Sequence, residues 1–321
     1  MRQKYPNARA TLVLCLLVAM AVIAGCGQKG IAKLDKEPEI TVVVNTETGE
    51  QKTMPIEQYV AGVVGGEMGQ LPAAGGNGGS WPENAYAAQA ILARSFTMQF
   101  ITQHEGEAIS TDVEEAQAYK PENITPVIEA AVQKTRGEVI VYKGDYVKTW
   151  FHSYSGGRTA TAAEGLNFKD PAPYTKSVRL PDNEFVPADK KQWTATFTTA
   201  EIAQSLQAKG VNVGDISEIK VSERGPSGRA TQVRIDGTQG NQTMHAADFR
   251  IAVGAEKMLS TLLDDAGIQV QGDQVTMAGT GFGHGVGLSQ WDAYKLAKDG
   301  KTPEQIITMF FQGTRVEKVW D

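Results

Sequence analysis

The residue in this chain best placed to move a proton is a single glutamate between two apolar helical stretches. Glu67 follows Gly65-Gly66 and precedes Met68, at the end of a run in which Ile56, Tyr59, Val60, Val63 and Val64 recur at helical spacing. Beyond a glycine-rich gap (Gly75-Gly76-Asn77-Gly78-Gly79), Pro82 sits where helix starts favour proline. Residues 85–100 then read as an alanine-rich helix, apolar nearly all round. A carboxyl desolvated between two such helices can work as an acid near neutral pH. Spacing alone favours a plainer reading, an exposed loop glutamate, with the double glycine ending the helix before it.

Two other stretches concentrate polar groups. His152-Ser153-Tyr154-Ser155-Gly156-Gly157 closes a predicted strand and can project side chains into a cleft. His152 and Ser153 are neighbours on that strand and face opposite ways, so they do not make a nucleophile pair. Near the C-terminus, glycines alternate from Gly279 to Gly287 around His284 and lead into Leu288-Ser289-Gln290-Trp291. The run lacks the Gly-Lys-Ser/Thr ending of a phosphate loop and does not fit the dinucleotide fingerprint. It implies backbone approaching a ligand, or another backbone, closely. His284 is then a general base, a donor to a sugar, or a buried structural histidine. A metal site finds little support, because His104, His152, His245 and His284 lie far apart and no cysteine pair accompanies them.

The elements that must position these groups suit one large domain of mixed helices and antiparallel hairpins, an α+β fold. A strand over residues 40–44, with both faces on the core, precedes the helix pair. A helix over residues 126–135 starts with Thr125 as cap and Pro126 in its first turn. Strands over 138–142 and 146–151 turn through Lys143-Gly144-Asp145. Residues 160–193 are irregular and dotted with prolines. A helix over 199–209 follows, then strands over 216–221 and 230–235, a helix over 244–253 and a strand over 275–278. Helices from Ser289 to about Lys298 and over 303–311, and a strand over 316–320, complete the chain.

With 321 residues, 41% of them hydrophobic and 21% charged, the chain can bury a large core. A net charge of -6 argues against a general nucleic-acid binder. Arg2, Lys4 and Arg9 precede an apolar stretch over residues 11–24 that is short for a membrane span. The ending Ile23-Ala24-Gly25-Cys26 resembles a bacterial lipoprotein signal. The expected organisation is a signal peptide over 1–25, a polar lipid-anchored tether over 26–38 with the lipid on Cys26, and a domain over 39–321. The protein would then sit outside the cytoplasm, held by lipid to the outer face of the cytoplasmic membrane. Cleavage removes Cys15 and lipid occupies Cys26, which leaves no disulfide and no cysteine-based zinc site.

Taken together, the motifs resemble the SpoIID/LytB domain family of peptidoglycan lytic transglycosylases. They occur in the family's order over roughly residues 39–320: Pro55 through Val64 leading to Glu67-Met68; Ala88-Gln89-Ala90 with Ala93-Arg94-Ser95-Phe96; Gln117-Ala118-Tyr119; Thr135-Arg136-Gly137; Phe151 through Thr159; Pro173-Tyr174; and Gly283 through Trp291. The resemblance implies cleavage of the β-1,4 bond between N-acetylmuramic acid and N-acetylglucosamine, preferring strands that an amidase has stripped of peptide. It places the catalytic acid on Glu67. It makes Gln89, Arg94, Gln117, Tyr119, His152, Ser153, Tyr154, Ser155, His284, Ser289 and Gln290 candidates for the glycan groove. One carboxylate suffices for such chemistry, because the sugar's own C6 hydroxyl is the nucleophile and a 1,6-anhydro end results. No cofactor is implied. Partners are peptidoglycan glycan strands, the membrane through Cys26, and an N-acetylmuramoyl-L-alanine amidase; relatives described as amidase enhancers keep a non-catalytic glycan-binding role open. Two departures stand out. Some members carry zinc-associated cysteines before the Gln-x-Tyr element, where this chain has Thr111 through Ala116, so no zinc is expected. The loop between Glu67 and Trp81 is longer than usual and glycine-rich.

Overall fold

The computed structural model describes residues 30–71, 79–113 and 115–321. Cys26, the signal segment and residues 72–78 of the glycine-rich gap lie outside the described residues. The chain runs β1 (Glu39–Asn45), β2 (Glu50–Pro55), α1 (Ile56–Glu67), α2 (Glu83–Gln103), α3 (Pro126–Lys134), β3 (Glu138–Tyr142), β4 (Asp145–Tyr146), β5 (Phe151–His152), α4 (Ala162–Leu166) and α5 (Ala188–Lys191). It continues through β6 (Gln192–Thr198), α6 (Thr199–Ala208), β7 (Ile216–Arg224), β8 (Ala230–Gly237), β9 (Gly240–His245), α7 (Ala246–Val253), β10 (Leu263–Gln271) and β11 (Gln274–Thr280). It closes with β12 (Leu288–Ser289), α8 (Gln290–Lys298), α9 (Pro303–Phe310) and β13 (Thr314–Lys318). This is a single α+β domain, as the mixture of patterns implies.

The helical half is built on α2. Every residue from Ala85 to Met98 is buried, and small alanines let α1, α3, β3, α8 and α9 close around it. Its buried serine and threonine hydroxyls are satisfied: Ser95 Oγ donates to Ile91 O at 2.6 Å and accepts from Ile140 N at 2.7 Å, and Thr97 Oγ1 donates to Ala93 O at 2.8 Å. The other half consists of two antiparallel sheets, β10-β11-β6 and β7-β8-β9. α6 and α7 pack on them around Phe197, Leu206, Phe249 and Val275. The chain leaves the helical half after β5 and returns at β12, and these two short strands pair in parallel.

Several elements depart from the sequence expectation. β1 buries Ile40 and Val42 but not both faces, because β2 pairs with it and its other side is partly exposed. β2 and β9 are polar strands with no apolar alternation to reveal them. Met244 and His245 therefore belong to β9, and the helix starts at Ala246. β6 does alternate, burying Trp193, Ala195 and Phe197, but it follows a proline-rich stretch directly. β10 carries a register shift between Leu263 and Ile268 that breaks its period. The strand expected over 146–151 stops pairing after Tyr146, where Thr149 Oγ1 turns inward to donate to Leu92 O at 2.7 Å. The described part of the expected tether is docked on the body. Leu34 N donates to Val319 O at 2.7 Å, and Glu37 pairs with Arg136.

Candidate active site

α1 does not stop at its double glycine; it runs through to Glu67, its last residue. A Cβ at Gly62 would lie 2.2 Å from the Tyr119 ring, one at Gly65 2.8 Å from Lys120 O, and one at Gly66 2.6 Å from Ala118 O. The three glycines therefore form the face on which residues 118–120 lie, an approach worth the ~1 kcal/mol per residue that glycine costs a helix. That approach brings the Ala118 N–H to Glu67 Oε1 at 2.7 Å. The exit is pinned as well: Trp81 Nε1 donates to Met68 O at 3.2 Å and Tyr86 OH to Gly69 O at 2.6 Å.

Burial raises the Glu67 pKa to about 7, against the single opposing bond from Ala118. Its place at the C-terminal end of α1 acts in the same direction as burial, since the helix dipole disfavours negative charge there. Tyr59 lies beneath, fully buried and stacked on Tyr119 at 5.5 Å, and feels the Glu67 charge. Glu67 opens into a cleft of about 300 Å³ whose walls include Phe96, Gln117, Lys148, Thr149, Trp150, Phe151 and His284. A second carboxylate, Glu115, stands exposed at the rim.

The glycine run around His284 packs against the backbone of residues 150–156. A Cβ at Gly287 would meet Trp150 O at 2.0 Å, one at Gly283 the His152 Cβ at 2.7 Å, and one at Gly281 Tyr154 O at 3.0 Å. Val286 then reads both imidazoles. Its N–H donates to His284 Nδ1 at 3.0 Å, and its carbonyl faces His152 Nδ1 at 3.1 Å. A carbonyl only accepts, so His152 carries its proton on Nδ1, whereas neutral His284 carries it on Nε2. Burial, with Arg250 and Arg229 near, pushes the His284 pKa down to about 3, and burial drives His152 far below its usual range. Both rings are neutral at physiological pH, so His284 offers the cleft a donor and no acid.

Of the residues singled out by sequence, the cleft thus gathers Glu67, Gln117 and His284. Arg94 is fully buried and occupied elsewhere: Nε and Nη2 bind Glu57 at 3.0 and 2.6 Å, and Nη1 donates to Glu138 O at 2.9 Å. Ser155 Oγ and Ser289 Oγ both donate to Asp292 Oδ2, at 2.6 and 2.5 Å, which ties the end of β5 to the first turn of α8. Ser153 O accepts from Trp291 N at 3.0 Å, and Tyr154 exchanges backbone bonds with Phe282. Gln290 is buried in α8, Tyr119 seals Gly62, and Gln89 is buried with both amide atoms unpartnered. None of these lines the cleft; their work is to shape it. Lys148 and Trp150 were not anticipated there. The available signal was a lysine inside a strand-like run leading into the His152 segment. Among the described residues, no three His, Cys, Asp or Glu side chains come together to hold a metal ion.

A family model described as stage II sporulation protein (SpoIID) matches residues 44–142, and a second, described as a domain of unknown function, matches residues 181–287. Stage II sporulation protein D of Bacillus subtilis (strain 168) is 29% identical over 316 residues, 93% of this chain and 84% of its own. An uncharacterized protein of Brachyspira hyodysenteriae is 31% identical over 265 residues, 81% of this chain and 66% of its own. The amidase enhancer of Bacillus subtilis is 23% identical over 276 residues, 73% of this chain and 38% of its own. The first match holds α1, α2, the segment carrying Ala118, and β3, so the elements that build the Glu67 site are those by which the chain belongs to the SpoIID family.

Proposed function

We propose that this protein is a peptidoglycan lytic transglycosylase in which Glu67 is both the acid and the base. Family membership supports a sporulation-related function at the cell wall. The observation that carries the finer reading is the carboxyl of Glu67, lifted to about 7 in a cleft whose only other carboxylate among the described residues is exposed. Near neutrality a substantial fraction of Glu67 is protonated and can give its proton to the glycosidic oxygen as the bond to C1 breaks. The resulting carboxylate, still oriented by Ala118, takes the proton of the C6 hydroxyl of the same muramoyl residue. That oxygen closes on C1, so no activated water and no second carboxylate are needed, in contrast to hydrolysis. His284 supplies a neutral donor at the cleft wall. In this reading Cys26 carries the lipid that holds the protein to the outer face of the membrane, and an amidase prepares its substrate.

The test is release of glycan fragments by the full chain in detergent. Wild type releases them and Glu67→Gln does not; a Glu67→Gln protein as active as wild type would sink the assignment. The name of the amidase enhancer points to a second role in recruiting an amidase. That role survives in the same variant if amidase stimulation persists without glycan cleavage.

A further inference from the structure

One group in the cleft is left unused by acid catalysis at Glu67. Lys148 is the sole cation among the described residues that line it. The side chain is half-buried, with Nζ 5.6 Å from the Phe96 ring centre and 5.8 Å from that of Phe168. Its backbone is fixed, since Tyr174 OH donates to Lys148 O at 3.1 Å and the next residue, Thr149, is bound to Leu92 O. Several other lysines of the domain sit against carboxylates, as Lys134 does on Glu83 and Lys295 on Glu184. Among the described residues Lys148 has no such pair; it feels Asp170 only at longer range, and burial lowers its pKa. Aromatic faces hold an ammonium without neutralising it. The charge is thus positioned, partly desolvated and left open to an anion entering the cleft.

In a glycan of alternating N-acetylglucosamine and N-acetylmuramic acid, one sugar of each pair carries a lactyl ether. Its carboxyl is an amide while a stem peptide is attached and a free carboxylate once the peptide has been removed. We propose that Lys148 recognises the free lactyl carboxylate of the muramoyl residue seated at Glu67. This rests on the cleft binding peptidoglycan and deepens that reading by naming the group that is read. Two consequences follow from the chemistry. Strands bearing peptide offer Lys148 no charge at that position, so the cleft selects bare strands. Because only alternate sugars carry the lactyl group, the contact also sets the register and decides which of the two alternating β-1,4 bonds lies over Glu67.

The experiment uses the full chain in detergent with three strands: bare, bare with the lactyl carboxyl converted to its methylamide, and peptide-bearing. Lys148→Met keeps the hydrocarbon stem against Phe96 and Phe168 and removes the charge; Lys148→Arg keeps the charge. Wild type should favour the bare strand over the methylamide by about tenfold in kcat/KM, with most of the difference in KM. That ratio should fall to about 1 in Lys148→Met and return in Lys148→Arg. Retention of the wild-type ratio by Lys148→Met overturns the proposal. A Lys148-dependent preference for peptide-bearing strands also overturns it, because the carboxylate read would then belong to the peptide. Affinities for the bare and methylamide strands, measured in Glu67→Gln protein, separate the two readings. A Lys148-dependent affinity ratio without any cleavage by wild type keeps this assignment and sinks the enzymatic one.

Discussion

The backbone N–H of Ala118 and the carboxylate of Glu67 meet at 2.7 Å only because residue 66 has no side chain. A methyl at Gly66 would stand 2.6 Å from Ala118 O, in backbone that has nowhere to go. In an open helix Gly→Ala is stabilising by ~1 kcal/mol. Here Gly66→Ala must displace the Ala118 peptide and with it the orientation of Glu67. Displacement of a reacting group by ~1 Å can cost on the order of 100-fold in rate. We expect a loss of that size in kcat, with the circular dichroism of the folded protein retained. Full activity in Gly66→Ala would show that Ala118 does not orient the acid.

The raised pKa of Glu67 sets two pH dependences. On the proposed mechanism activity needs the protonated acid, so the rate should fall about tenfold per pH unit above ~7. Wild-type stability also falls as pH rises, over a lower window. The folded carboxyl titrates near 7 and the unfolded one near 4.5, so the native state holds the proton more tightly. Below about 4.5 nothing is lost; between 4.5 and 7 the protein loses stability as pH rises, and above 7 the penalty is complete. Glu67→Gln removes it. After allowance for partial exposure, the variant should be more stable than wild type by on the order of 2 kcal/mol at pH 8 and by nothing at pH 4 in urea titrations.

His284 makes a separate claim on the same pH profile. With its proton on Nε2 and its pKa pushed down to about 3, it does not change charge near neutrality. His284→Gln should lower the rate through loss of a donor yet leave the midpoint near 7 where it was. A shift of that midpoint by a full unit would make the histidine part of the titrating pair.

Glu115 tests the one-carboxylate mechanism from outside. It is exposed at the rim of the cleft, without the burial that readies Glu67. Glu115→Gln should keep activity within about threefold of wild type, roughly the scale of a rim hydrogen bond. A loss comparable to that of Glu67→Gln would instead indicate two-carboxylate hydrolysis.

Arg94 and Glu57 form the buried joint of the helical half, and Glu57 also accepts from Gly137 N at 3.0 Å and Trp320 Nε1 at 3.1 Å. Glu57→Ala leaves the buried guanidinium without its counter-charge, with backbone carbonyls such as Glu138 O as its remaining acceptors, and should cost about 3–5 kcal/mol in chemical denaturation. Replacing both residues by methionine should recover much of that loss, since the paired charges gain little beyond their desolvation.

The apolar periods flanking Glu67 draw attention to it, but spacing alone favours an exposed loop residue and it is the order of the motifs that places the acid there; the burial of α2 follows from alanines on every face. The reading of Gly65-Gly66 as a helix end failed for a definite reason. Glycine marks backbone freedom and close approach alike, and only the position of residues 118–120 tells them apart. The His152 and Ser155 segment looked like a groove wall because it is polar, but its polar atoms are turned inward to Val286 and Asp292. Lys148 escaped notice because its partners are two phenylalanines, distant from it in one case by more than fifty positions and invisible to any motif.

The central claim is that one carboxyl at Glu67 cleaves glycan through the sugar's own C6 hydroxyl. Mass spectrometry of the products from bare glycan strands tests it directly. Wild type should yield fragments ending in 1,6-anhydro-muramoyl residues, one water lighter than hydrolytic ends, and Glu67→Gln should yield none. Reducing ends from the wild-type protein, or anhydro ends from the Glu67 variant, would contradict the account.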